Sequence, residues 1–180
     1  MTAYNEKIST IALNLGADLP YLLHHGPAWV TGIGEQIYPL PDQINNELAA
    51  LSSLILSPAI HLSTKQVFAK LKINNDPSLQ DNDDLVMSSF VQKASKPSME
   101  SIINIMTNDL ETAAFELEPE LSSMIGGIRA RFPDKKFCMS GSGASFFTLL
   151  SKPDLIFTSE LRKALIPFNA RLFDARLALN

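Results

Sequence analysis

The stretch "MSGSGASFF" at 139–147 holds the residue types best suited to chemistry, with Gly141 and Gly143 flanking Ser142 between two apolar runs. Glycine permits positive φ, and successive N–H groups in such a turn form a concavity that binds an anion. Ser140 and Ser142 add hydroxyl donors. On residue types alone a tight hairpin turn is the commoner use of Gly-Ser-Gly. A Walker-type phosphate loop is excluded, because no Lys-Ser/Thr pair follows and no helix pattern opens behind the loop. A dinucleotide fingerprint fails as well, for want of a third glycine and a βαβ setting. Asp18, in "LGADLP", reads as the N-cap of a helix starting near Pro20. Asn108 and Asp109 read as caps too, and Asn108 with Glu111 has capping-box spacing.

The remaining reactive types carry less. Cys138 is the single cysteine, lies in an apolar run, and reads as buried filler. It excludes an intramolecular disulfide and a cysteine-based zinc site. His24, His25 and His61 have no metal-site spacing and read as surface or interface residues.

These residues need elements to hold them. Helical spacing of Ile8, Ile11, Ala12 and Leu15 predicts a first helix that ends near Gly16. "LPYLLHHG" predicts a short helix or turn, and "PAWVTGIGEQIYPLP" a hairpin about Gly32-Ile33-Gly34. "LSSLILSPAIHLS" supplies a strand, and "STKQVFAKLK" a short helix capped by Ser63 or Thr64. "INNDPSLQDNDD" is polar and predicts a surface loop. "SMESIINIM" and "NDLETAAFELEPELSSMIGGIRARF" are helical, the second broken near Pro119. "KKFCMS" and "ASFFTLL" predict strands on either side of the glycine loop. A helix over "SELRKALIPF" and a strand over "ARLFDARLAL" close the chain. The order predicts an α+β sandwich, with helices on one face of a mainly antiparallel sheet and a ferredoxin-like ending.

The 180 residues are 46% hydrophobic and 19% charged with net charge −4, which describes an ordinary globular chain. Scattered basic residues and an acidic balance argue against a nucleic-acid surface. "LSSLILSPAI" is too short to span a bilayer, and no signal-peptide core is present, so the expected setting is the cytoplasm, with no membrane partner.

Taken together, "LNLGADLPYLLHHGPAWVTGIGE", "SPAIHLSTKQVF", "NDLE" and "MSGSGASFF" occur in the order and at spacings that resemble the 4-diphosphocytidyl-2-C-methyl-D-erythritol kinases, a GHMP kinase family, from about Ile8 to Leu150. The resemblance implies a C-terminal GHMP-kinase domain at 46–180 and a remnant of the N-terminal S5-like domain at 1–45. It implies ATP and Mg2+ as cofactors, a cytidine diphosphate derivative as substrate, and transfer of a phosphoryl group to its 2-hydroxyl in isoprenoid precursor synthesis. It makes Asp18 the catalytic base, which also leaves room for its capping role. Thr64 and Phe68 become substrate contacts, Phe68 stacking on cytosine, and Gly141, Ser142 and Gly143 lie beside the phosphates. Without it, Val67 and Phe68 read as the apolar side of a helix. Mevalonate and homoserine kinases are disfavoured by "GADLPYLL" and "STKQVF".

The family's Pro-Ala-Lys segment and Gly-Gly-Gly-Ser-Ser loop are not found in the 180 residues. This predicts a truncated or split form, inactive alone, whose first helix exposes an apolar face and whose partner is a separate N-terminal kinase fragment. The competing expectation is a non-catalytic α+β module that binds a cytidine-containing or phosphorylated ligand, or a partner protein.

Overall fold

The structure is a computed structural model that describes residues 3–24, 26–40, 42–71 and 99–176. The described residues fall into two compact units, one built from residues up to 49 and the other from residue 50 onward. The polar stretch 73–84, expected as a loop, and His25 lie outside the described residues.

The first unit contains α1 (Ala3–Leu15), α2 (Leu19–Leu22), a hairpin of β1 (Ala28–Thr31) and β2 (Gln36–Pro39), and α3 (Asp42–Ala49). The hairpin pairs Thr31 with Gln36, so Gly32 to Glu35 form its loop. Gly32 and Gly34 both take positive φ there, which few other residues tolerate. In the described part of α1 Ala12 is buried, while Ile11 and Leu15, two of the residues whose spacing predicted the helix, are exposed.

The second unit runs β3 (Ser52–Ser57), α4 (Thr64–Lys70), α5 (Met99–Ile105), α6 (Leu110–Leu117), α7 (Pro119–Arg131), β4 (Cys138–Met139), β5 (Phe146–Leu150), α8 (Leu155–Leu165) and β6 (Arg171–Arg176). Its sheet has the order β4-β5-β3-β6 with every neighbour antiparallel. Two β-helix-β crossovers interleave, each leaving a gap that a strand of the other fills, which is the ferredoxin-like arrangement. The period of two along the strands puts Leu54 and Leu56 on one face with Phe146, Leu150 and Leu172. That face packs on Leu121, Met124, Ile125 and Ile128 of α7 and on Phe157, Leu161 and Leu165 of α8, all in one buried core. Their spacing of three and four residues makes one stripe on each helix.

Local chemistry sets the helix ends. Pro119 at the first turn starts α7 at the break expected from sequence. Asp154 caps α8 by accepting a hydrogen bond from the Phe157 N–H at 2.9 Å. Glu111 does not complete a capping box. Its carboxylate instead takes two hydrogen bonds from Arg129, at 2.7 and 3.0 Å, and Arg129 also donates to the Phe137 carbonyl at 2.7 Å. A paired guanidinium is the stronger partner for a carboxylate, and it ties α6, α7 and the approach to β4 together.

Candidate functional site

The glycine loop joins β4 to β5. Ser140 N–H donates to the Ser145 carbonyl at 2.9 Å, and Gly143 N–H donates to the Ser140 carbonyl at 3.0 Å, closing a tight turn. Gly141 and Gly143 have φ of 55° and 88°. At Gly143 space is short as well: a Cβ would lie 2.9 Å from Met139 Sδ and 3.0 Å from Leu62 Cδ1. The N–H groups of Gly141 and Ser142 take no acceptor among the described residues. Two successive N–H groups without an internal acceptor, in a turn whose glycines take positive φ, are what an anion-binding concavity needs.

Helix α4 borders this loop. Thr64, its first residue, shares a hydrogen bond with Ser142, Oγ to Oγ at 2.8 Å. Ser63 sits at the cap position in an extended conformation without a side-chain cap bond, so neither it nor Thr64 caps α4 through its hydroxyl. Val67 and Phe68 part company: Val67 is fully buried, while Phe68 is 55% exposed. An aromatic ring left in solvent on a short helix offers the face that a base could stack on.

Sequence reasoning gave Asn108 only a capping role and did not single out Leu62. Asn108 Nδ2 donates to the carbonyls of Met139 and Gly141, each at 2.8 Å, while its Oδ1 accepts from the Leu110 N–H at 2.9 Å. Asp109 occupies the cap position of α6 and makes no side-chain cap bond. The capping expected of these two residues is therefore met only by Asn108, and in a wider role. No local pattern announces a bond to a loop some thirty residues on.

In the first unit, Asp18 is exposed on the turn between α1 and α2. It holds the N-cap position of α2 with helical backbone angles and no side-chain cap bond, so the cap reading of its carboxylate fails. The turn before it is gripped from behind: any side chain at Gly34 would collide with the Ala17 carbonyl. His24 is partly buried and His61 exposed, and among the described residues no three His, Cys, Asp or Glu side chains could hold a metal ion. No described helix is long and apolar enough to cross a membrane.

The β4-β5-β3-β6 sheet, the helices packed on it and the glycine loop define a GHMP-type small-molecule kinase fold. A solved homoserine kinase from Cytophaga hutchinsonii shares that fold, with TM-score 0.61 over 88% of this chain and 50% of the other at 17% identity. A solved 4-(cytidine 5'-diphospho)-2C-methyl-D-erythritol kinase matches with TM-score 0.55 and 25% identity over 95% of this chain and 57% of that one. Within the class, the chain belongs to the 4-diphosphocytidyl-2-C-methyl-D-erythritol kinase family. Proteins of that name from Rhizobium johnstonii and Rhizobium etli are 32% and 35% identical over 150 residues each, covering 83% and 80% of this chain. The relative from Polaromonas naphthalenivorans is 33% identical over 144 residues. The chain spans less than half the length of these curated relatives, covering 45%, 43% and 42% of them. No protein-family model matches it.

Proposed function

We propose that the chain carries part of the site of an ATP-dependent kinase that phosphorylates the 2-hydroxyl of 4-diphosphocytidyl-2-C-methyl-D-erythritol, in the cytoplasm, for isoprenoid precursor synthesis. The observation that carries the reading is the Thr64–Ser142 hydrogen bond, which joins the helix bearing the exposed Phe68 ring to the glycine loop. A ligand with a base at one end and phosphate at the other suits that juxtaposition.

In this reading Phe68 stacks on cytosine, Thr64 borders the substrate, and Gly141, Ser142 and Gly143 lie beside the phosphates, with the Gly141 and Ser142 N–H groups as donors. Asp18 accepts the hydroxyl proton as the substrate oxygen attacks the γ-phosphorus, the bond to the β-phosphate oxygen breaks, and ADP leaves. A carboxylate is a weak base, so placement outweighs basicity. The open N–H groups of the loop fit a nucleotide phosphate. Mg2+ in such kinases is held by one or two carboxylates together with the phosphates, and we assign it no ligands here. The activity calls for an N-terminal kinase fragment as partner.

The test mixes the chain with the N-terminal segment of a curated relative and follows ADP release. Turnover that requires both parts and disappears in Asp18→Asn supports the kinase. Binding of cytidine diphosphate without turnover, indifferent to Asp18, would replace it with a non-catalytic binding module.

A further inference from the structure

We infer that Asn108 is the positioning residue of the glycine loop, setting the direction in which the Ser142 N–H group faces a phosphate. The inference rests on the reading of that loop as a phosphate site.

The side chain is bonded in a way few others could match. Its amide nitrogen spends both hydrogens on two carbonyls of one connection: Met139, the last residue of β4 and 1% exposed, and Gly141, the first glycine of the turn. Its carbonyl oxygen holds the Leu110 N–H at the start of α6. Two donors and one acceptor in one short planar group is the inventory of asparagine; aspartate donates nothing and serine donates once. The clasp therefore joins the buried end of a strand, the left-handed turn and the first turn of a helix.

Geometry explains why this matters for the turn. The Gly141 and Gly143 backbones have the freedom that glycine gives, and freedom in an anion site lowers affinity unless something removes it. The turn's own bonds fix Ser140, Gly143 and Ser145. Gly141 has no neighbour within 4 Å of the place a Cβ would occupy, so packing does not hold it. The Asn108 amide, bonded to the Gly141 carbonyl, restrains the peptide plane that carries the Ser142 N–H on its other side.

Two substitutions separate this role from capping. Asn108→Asp keeps the acceptor for Leu110 and sets a carboxylate against two carbonyls; Asn108→Ala removes all three bonds. The full chain is followed by amide NMR with hydrogen exchange, by urea unfolding, and by titration with ADP. The expected result is that both variants move the Gly141, Ser142 and Gly143 resonances and speed exchange of the Gly143 amide about tenfold. In Asn108→Asp, ADP affinity falls about tenfold while the α6 resonances beyond Leu110 stay in place. Unmoved loop resonances in Asn108→Asp, with α6 disturbed in Asn108→Ala, would reduce Asn108 to a cap and overturn the inference. The loop response in both variants, with a wild-type chain that ignores ADP, overturns the phosphate reading of the loop, and with it the phosphate-directing part of this role.

Discussion

Thr64 and Ser142 hydrogen-bond through their hydroxyls at 2.8 Å across 78 residues of sequence. The bond is exposed, so water competes for both partners and its net worth sits near the low end for hydrogen bonds, about 0.5 kcal/mol. A double-mutant cycle with Thr64→Val and Ser142→Ala, read by urea unfolding, is expected to show coupling of that size. The same cycle read by cytidine diphosphate binding is expected to couple more strongly, because the ligand of the proposed function bridges both residues. Additive effects in the binding cycle would argue that helix α4 and the loop serve different ligands.

The two loop glycines are not equivalent. Both have positive φ, but only Gly143 is also hemmed in by Met139 and Leu62. Gly141→Ala is expected to cost about 1 kcal/mol from backbone strain alone. Gly143→Ala adds the displacement of two core side chains and is expected to cost about 2 kcal/mol or more. Unfolding midpoints of the two variants rank them directly, and equal costs would mean that the contacts at Gly143 relax freely.

Asp18 and Asp154 offer a contrast in what a carboxylate at a helix start does. Asp154 accepts from Phe157 N–H, and Asp154→Ala is expected to lose about 1 kcal/mol of stability. Asp18 makes no such bond and is exposed, so Asp18→Asn should leave the midpoint within about 0.5 kcal/mol of wild type. A large loss in Asp18→Asn would reveal a structural role for this side chain and weaken its assignment as a base.

Cys138 should be silent toward thiol reagents in the folded chain. Burial, and then the nearby negative charge of Glu111, hold its thiol above the ordinary range, and it is 5% exposed. The unfolded chain ionises first as pH rises, so the stability linked to this thiol is complete below its ordinary range and declines as pH climbs through it. Labelling at pH 8 is expected to begin only when urea unfolds the chain. Prompt labelling without urea would place the sulfur at the surface.

Much of this was legible because it was local. The hairpin followed from Gly32 and Gly34 between β-prone runs, and the break between α6 and α7 from Pro119. Helix α3 went unread because Ile44 and Leu48 alone carry its apolar face among polar neighbours. Strand β4 is shorter than "KKFCMS" suggested, pairing only through Cys138 and Met139. Glu111 had the spacing of a capping partner, yet Arg129, eighteen residues on, outcompetes the backbone for it. The Asn108 clasp belongs to the same class, since residue types at one place cannot report what the fold brings beside them. For the candidate site, the sequence named the loop, Thr64 and Phe68, and the fold supplied the bond that joins them.

Strand β3 lies inside the sheet, between β5 and β6, although it is the first strand of its unit. Ser52 pairs with Leu150 on one side and Arg176 on the other, so β3 waits for almost the whole remainder of the chain before either edge is covered. On the ribosome, then, Leu54 and Leu56 emerge well before either neighbour, gain β5 on one side first, and keep the other edge open until β6 follows. High contact order of this kind slows folding and exposes a sticky edge while it lasts. The unit is completed from its far end, and a nascent chain stalled before Arg171 has a three-stranded sheet whose open β3 edge is left for chaperones to shelter.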